Sequence, residues 1–296
     1  MMRRAVIFVF LIMFVINGCS MRRLAVDTTA LFMDDVVTAF LMEEDMKFAE
    51  NAGPGNLKLL DGLIRGSDFE NEDLLIKGCK LYGMYTIAFF EDASADKKQD
   101  RENLKRASVM YDRAREYGMT VLKKNHDFRE SLDKTYDEYK KNLMAFGEDD
   151  VEALFWTAFA WGSYINLNRN NIRAVANLPR ARAMMERVIE LDNSYFYGMP
   201  HLFMIVNYSM PAMFGGNPEK AMKEYEALKS VSGDKLAIGD IYMAKYYAVQ
   251  ARDKELFDEL LDKVENVNDD IIPEKLLTAV AKAKAKVLRK KKSDLF

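Results

Sequence analysis

The sequence predicts an all-α fold in which helical hairpins form one domain. Glycine and proline are scarce, with 15 and 6 residues in a chain of 296, and they separate long segments in which apolar residues recur at helical spacing. Three of these segments also share one spacing of residues that begins with alanine. No segment sustains the strict alternation of apolar and polar residues that marks a half-buried strand, so we expect no sheet.

The first nineteen residues have the pattern of a lipoprotein signal. Arg3 and Arg4 precede twelve apolar residues, 5–16, and Gly18 and Cys19 follow that run. Twelve helical residues span about 18 Å, well short of the roughly 30 Å hydrocarbon core of a bilayer, so the run suits a cleaved signal better than a membrane span. Glycine directly before cysteine matches the bacterial lipobox and predicts a lipid on Cys19. An ordinary secreted protein with a chance cysteine and an uncleaved anchor are the open alternatives.

Charge and cysteine content narrow the classes of protein. Cleavage before Cys19 removes two arginines and changes the formal charge from −3 to −5. Nucleic-acid binding depends on clustered Lys and Arg, whereas this chain is mildly acidic, so we expect no nucleic-acid partner. Cys79 is the only other cysteine, which leaves no intrachain disulfide. Ser20 stands where aspartate retains many lipoproteins in the inner membrane of Gram-negative bacteria, so the outer membrane is favoured.

The elements follow one another as helices. A first helix is predicted over residues 29–51, a Gly- and Pro-containing break over 51–55, and a short helix over 56–65. Asn71 is a candidate N-cap for a third helix. That helix is apolar nearly all round, which indicates burial on every side or a place in the wall of an apolar cavity. A charged loop over residues 91–99 and further helices come next.

Three helices carry the interior spacing of tetratricopeptide repeats, in which a small residue is followed by larger ones at i+4 and i+7 on one helix face. The sets are Ala107, Tyr111 and Ala114; Ala181, Met185 and Val188; and Ala221, Tyr225 and Leu228; with a weaker fourth set of Phe257, Leu261 and Val264. The first three sets begin 74 and 40 residues apart, against a regular period of about 34. We therefore predict degenerate repeats in a single α-solenoid or bundle domain, with a generic helical bundle as the alternative.

The expected domain organisation follows from these patterns. Residues 1–18 form the lipoprotein signal peptide and residues 19–28 a lipidated tether. Residues 29–288 form the helical domain, and residues 289–296 a basic C-terminal tail.

No motif in the sequence marks an active site. The two histidines, His126 and His201, stand apart from each other and from Cys79. Zinc-binding, phosphate-binding, dinucleotide-binding and serine-hydrolase motifs do not occur. We therefore expect no enzyme, no metal and no cofactor.

Aromatic density points instead to ligand binding, with plain core packing as the alternative. The candidate ligand-binding residues are Tyr82, Tyr85, Phe89, Phe90, Phe155, Trp156, Phe159, Trp161 and Tyr164. Trp161 and Tyr164 lie on a different side of their helix from Trp156 and Phe159, so one side can pack while the other lines a pocket. The chain also holds 19 methionines, the adaptable side chain of promiscuous apolar surfaces.

Several segments together resemble the T component of tripartite ATP-independent periplasmic (TRAP) transporters. They are the lipobox and residues 85–92, 153–162 and 214–221, in this order along the chain. The resemblance implies a periplasmic lipoprotein that binds the transporter's substrate-binding P subunit and passes it a hydrophobic ligand. It also implies a homo-oligomer, with a trimer as one candidate state, around an apolar pore. Cys19 is the one residue whose role is transferred.

Two other functions remain open. A tetratricopeptide scaffold lipoprotein for envelope assembly would bind peptide in an open, polar groove. An envelope hydrolase would need convergent polar side chains in a pocket, which the sequence does not display.

Overall fold

The computed structural model describes residue 26 and residues 28–296, and every regular element in this part of the chain is helical. The signal peptide and Cys19 lie outside the described residues. The α-helices are α1 (Met33–Leu41), α2 (Met46–Gly66), α3 (Glu72–Phe89), α4 (Lys97–Leu122), α5 (His126–Ser131), α6 (Tyr136–Leu143), α7 (Val151–Leu167), α8 (Ile172–Val175), α9 (Leu178–Leu191), α10 (Tyr195–Tyr208), α11 (Pro218–Ser232), α12 (Ala237–Tyr242), α13 (Val249–Ala251), α14 (Lys254–Asn266) and α15 (Lys275–Leu295). Two 3-10 turns, Glu148–Asp150 and Ala212–Phe214, and a π-helical turn, Met243–Ala248, lie between these helices. The predicted all-α class is confirmed.

The N-terminal helices begin and end at other residues than the sequence pattern predicts. The side chain of Asp45 accepts hydrogen bonds from the main-chain N–H groups of Lys47 and Phe48 and so starts α2. Helix α2 then continues through Pro54, where a break was expected. Its packing on α3 outweighs the poor helix propensity of this segment. The predicted cap of α3 is confirmed, because the Asn71 side chain accepts from Leu74 N.

The helices pack on one another in chain order. Contacts join α2 to α3, α3 to α4, α4 to α7, α7 to α9, α9 to α10 and α10 to α11. Every residue of the four predicted repeat sets is buried, at no more than 7% exposure. Gly118 allows α4 and α7 to approach closely, since a Cβ there would collide with the side chain of Thr157. The repeat positions are thus the core of this array.

The two ends of the array are in contact. Helix α15 packs on α12 and α14 and also on α1 and α2 near the start of the described chain. It continues to Leu295, where a separate tail from residue 289 was expected. Lys291 Nζ lies 2.8 Å from a carboxylate oxygen of Asp100, and the rings of Phe296 and Phe257 lie 5.3 Å apart. These contacts hold the last residues against the body of the fold.

A buried ionic cluster lies where the ends meet. Glu91 and Asp92 follow α3 and are 3% and 8% exposed. Lys245 Nζ, from the π-helical turn, lies 2.7 Å from Asp92 and 3.8 Å from Glu91. Lys284 Nζ, from α15, donates to the Glu91 carbonyl oxygen, and the Tyr111 hydroxyl donates to the Glu91 carboxylate. Buried charges are costly unless they are paired, so this cluster couples three distant segments.

The pKa values in the cluster reflect burial opposed by pairing. Burial raises the pKa of Asp92, but Lys245 and Lys284 outweigh it and hold the pKa below the usual value. Burial lowers the pKa of Lys245, but Asp92 raises it well above the usual value. Burial dominates at Lys284 and lowers its pKa to about 8, although Asp92 and Glu91 oppose this shift.

The low pKa of Lys284 predicts that this residue contributes more to the stability of the fold as the pH rises above 8. Between pH 8 and about 10.5 the unfolded chain holds a proton at Lys284 that the folded chain has released, so the contribution of Lys284 to the free energy of unfolding increases with pH. Relative to Lys284→Met, the wild type should gain about 2 kcal/mol between about pH 7.5 and about pH 9.5. Urea unfolding of both proteins at the two pH values measures this difference. Parallel pH curves for the two proteins would show that Lys284 does not titrate in this range.

Candidate ligand-binding groove

The structure distributes seven of the nine predicted aromatic residues over three places and packs the other two against neighbouring rings. Tyr82, Tyr85 and Phe90 line an outer groove between α2, α3 and α4. Trp156 and Phe159 line an inner gap between helices, and Trp161 and Tyr164 line a polar groove on another side of α7. Phe89 packs on Phe40 and Tyr85, and Phe155 packs on Trp156 and Tyr195. The residues therefore do not form one cavity.

The inner gap is apolar and nearly closed. Met84 and Ile87 from α3, Trp156 and Phe159 from α7 and Leu276 from α15 line it, together with residues of α1 and α10. Its free volume is about 20 Å³, and a neighbouring gap that shares Phe159 holds about 30 Å³. A cavity needs at least about 10–15 Å³ by this measure to hold one water molecule. In this structure the centre of the fold has room for water and none for a larger ligand.

The outer groove has room for a ligand. Its volume is about 510 Å³, which falls within the range of about 300–1,000 Å³ for small-molecule sites. The lining residues are Pro54, Leu57 and Lys58 from α2, Tyr82, Tyr85 and Phe90 from α3 and its end, and Lys105, Arg106, Val109, Met110 and Arg113 from α4. Apolar and aromatic side chains thus share the groove with four cations.

Helices α2 and α3 form the groove wall through close contact. Gly53 has no side chain, so the Tyr85 ring lies directly against the α2 backbone, where a Cβ would collide with it. The Tyr85 hydroxyl donates to the Glu50 carbonyl oxygen at 2.9 Å. The Tyr85 ring lies 5.9 Å from the Phe90 ring, edge to face. These contacts fix two of the predicted aromatic residues in the wall.

A carboxylate beside the groove holds Tyr82 in place. Asp61 accepts from the hydroxyls of Tyr82 and Tyr117 at 2.9 and 2.7 Å and pairs with Lys58 at 2.7 Å. Burial raises the pKa of Asp61, but these hydrogen bonds outweigh it and hold the pKa below the usual value. Arg113 donates to the Tyr82 hydroxyl and lies 3.5 Å from Asp61. The carboxylate is therefore saturated by its neighbours.

The polar groove on the other side of α7 has a different character. Its volume is about 360 Å³, and besides Trp161 and Tyr164 its lining includes Arg115, Lys123 and Arg173. Arg115 pairs with Asp112 at 2.6 Å. Lys123 and Arg173 are exposed and form no ion pair with any described residue. An acidic partner surface would fit this groove by charge.

The comparison with protein families decides the classification. The sequence profile described as TRAP transporter T-component matches residues 42–296. The chain belongs to this family. It is also similar to an uncharacterized protein of Treponema pallidum (strain Nichols), with 25% identity over 302 residues that cover 94% of this chain and 93% of that protein.

T-component membership confirms the resemblance found in the residue patterns, and it makes the protein an accessory component of a TRAP transporter system. The match includes every helix from α2 to α15 and therefore both grooves. Across residue 26 and residues 28–296, no helix has the length and apolarity that a bilayer span requires.

The two histidines of this T component lie in different surroundings, one buried and one exposed. His201 is 5% exposed, and its Nδ1 lies 2.7 Å from a Glu224 carboxylate oxygen, whereas His126 is exposed. In the described part of the chain, no three His, Cys, Asp or Glu side chains are placed to hold a metal ion.

The sequence pattern identified one wall of the outer groove and missed the other. The α4 residues Lys105, Arg106, Val109 and Arg113 have the pattern of an ordinary solvated helix face. The one available signal in the sequence was Val109, an apolar residue among these cations, and the structure leaves it 64% exposed.

Proposed function

We propose that this protein is a lipid-anchored subunit of a TRAP uptake system that captures an apolar ligand and binds the substrate-binding P subunit. The observation that carries ligand capture is the outer groove, whose volume and partly apolar lining suit a small amphipathic or apolar molecule. Family membership supports the transporter role.

The anchor in this proposal is the lipid on Cys19, with residues 19–28 as the tether. One acyl chain binds a membrane only marginally, but the several chains of a lipoprotein anchor it stably. The lipobox and Ser20 support a place on the periplasmic side of a Gram-negative envelope, at the outer membrane.

Association of several copies is part of the proposal, and an exposed face of α2 supports it. Phe48 and Leu59 are 62% and 56% exposed, and Gly55 and Gly62 are exposed beside them. Their spacing places all four on one side of the helix. A Cβ at either glycine would meet nothing within 4 Å. Such a face, with large apolar residues and glycines, suits close packing by a helix of a second copy, in a homo-oligomer such as a trimer.

The polar groove is the proposed contact for the P subunit. Exposed cations without ion pairs lie beside Trp161, an aromatic residue of the kind enriched at interfaces. The same open, polar groove would also suit the peptide of an envelope-assembly partner, which is the second candidate function.

A pull-down from solubilised membranes tests the proposal, with mass spectrometry of the recovered proteins and of extracted small molecules. The bait is the lipidated protein as wild type and as Val109→Trp, which should fill the groove without a change of charge. Met144→Trp is the matched control, because Met144 is 56% exposed and lies outside the groove. We expect the P subunit with all three baits and an apolar molecule with the wild type and the control, but much less with Val109→Trp.

A different set of recovered molecules would contradict the proposal. Recovery of envelope-assembly proteins in place of a solute-binding subunit, with no small molecule from any bait, would overturn the proposal and support the scaffold.

A further inference from the structure

The cations of the outer groove differ in their partners. Lys58 and Arg113 lie close to Asp61, at 2.7 and 3.5 Å. Lys105 and Arg106 are exposed on α4, and among the described residues no carboxylate oxygen lies within 4.0 Å of either cationic group. The groove therefore has two unneutralised positive charges at one side.

The position of Arg106 ties this charge to the apolar part of the groove. Its guanidinium lies over the Phe90 ring, 4.4 Å from the centroid. This stacking uses the flat face of the guanidinium and leaves the N–H donors at its edge available to a ligand. These donors form no hydrogen bond with the described residues. A planar guanidinium of this kind is suited to bidentate contact with a carboxylate or phosphate.

The other polar groups of the groove already have partners. The Tyr85 hydroxyl donates to the Glu50 carbonyl oxygen, and the Tyr82 hydroxyl donates to Asp61. A neutral polar ligand would find few free groups there, whereas an anion would find the free donors of Lys105 and Arg106. The remaining lining is apolar and comes from Pro54, Leu57, Phe90, Val109 and Met110.

From this arrangement we infer that the outer groove binds an amphiphile with an acyl chain and an anionic head, held by Lys105 and Arg106. The inference rests on the ligand capture proposed above and specifies the class of ligand. The chain lies on Leu57, Phe90, Val109 and Met110, and the head lies at the α4 side. A free acyl carboxylate and an anionic phospholipid headgroup share this chemistry, and we assign the free molecule because the site is a concave groove and not a flat surface.

Isothermal titration calorimetry with decanoate and 1-decanol tests the inference, because the two probes share a chain and differ in charge. The protein is the full mature chain with Cys19→Ser, which removes the lipid and leaves all described residues unchanged. We expect decanoate to bind about tenfold more tightly than 1-decanol, the effect of roughly two partly exposed ion pairs. The double variant Lys105→Gln/Arg106→Gln should lose this preference and keep its affinity for 1-decanol.

The control variant is Lys98→Gln/Arg101→Gln, which changes the charge of the same helix equally but outside the groove. It should keep the tenfold preference. Equal binding of the two probes by the wild type would overturn the charge inference and leave ligand capture intact. Binding of neither probe would count against ligand capture itself.

A vesicle assay separates the two sources of the anionic head. Co-sedimentation with phosphatidylglycerol vesicles that depends on Lys105 and Arg106, without any binding of decanoate, would overturn the free ligand in favour of a membrane contact. Binding of decanoate with no difference between phosphatidylglycerol and phosphatidylcholine vesicles would support the free ligand.

Discussion

Replacement of Lys245 by methionine should lower the free energy of unfolding by about 3–5 kcal/mol, because it leaves a buried carboxylate without its partner. Asp92 is 8% exposed, and its carboxylate lies 2.7 Å from Lys245 Nζ. Glu91, at 3.8 Å, would lose a second favourable interaction. Urea unfolding at neutral pH, followed by circular dichroism, measures the loss.

Two further variants show whether the loss comes from the unpaired charge. Lys245→Met combined with Asp92→Asn should recover part of the stability, because the double variant removes both charges. Lys97→Met breaks the exposed pair with Asp294, also at 2.7 Å, and should cost no more than about 1 kcal/mol. A loss at Lys245 no greater than the loss at Lys97 would mean that the cluster contributes little to closing the fold.

Trp156→Ala should cost about 3–5 kcal/mol, the usual cost of removing a large buried aromatic side chain. Trp156 is 1% exposed, its Nε1–H donates to the Tyr195 hydroxyl at 3.1 Å, and its ring packs edge to face on Phe155 and Phe196. Its surroundings in the inner gap are apolar, so a truncated side chain leaves a cavity with few polar groups to hold water.

Trp161→Ala is the matched comparison on the same helix. Trp161 is 8% exposed and lines the polar groove, which is open to water. Its removal should cost less, about 1–2 kcal/mol, because water can occupy the space that the ring leaves. Thermal and urea unfolding of both variants measure the contrast. Equal losses would indicate that the two sides of α7 are packed alike.

The closed centre bears on how a ligand reaches this protein. The apolar third helix predicted either burial on every side or the wall of an apolar cavity, and the inner gaps beside it have room for little more than water in this structure. The outer groove is open and needs no rearrangement to admit a small amphiphile. Capture at the groove is therefore the simpler route, and Val109→Trp distinguishes it from passage through the centre.

The sequence by itself determined the fold class, the family and the buried positions of the repeats. Each of these can be predicted from short sequence patterns, in which the residues concerned are close together in the chain. Helical spacing fixes which residues share a face, so Ala107, Tyr111 and Ala114 could be assigned to the core without knowledge of their neighbours. The Asn71 cap likewise depends on a hydrogen bond that spans only three residues.

Only one wall of the candidate site could be predicted from the sequence patterns. Tyr82, Tyr85 and Phe90 stand out as an aromatic cluster on one apolar helix, and they do line the groove. Lys105 and Arg106 could not be assigned, because a charged residue on an amphipathic helix is solvated in most proteins. Only the tertiary structure places them in the same groove as Phe90.

The tertiary structure alone decided which distant residues meet. Asp92 and Lys245 are 153 residues apart in the chain, and Lys284 and Glu91 are 193 apart. No local spacing encodes such pairs, so the contact between the two ends of the array was not predicted. Packing also decided that Trp156 faces a closed gap while Trp161 faces an open groove, since helical spacing separates two faces but does not say what covers each of them.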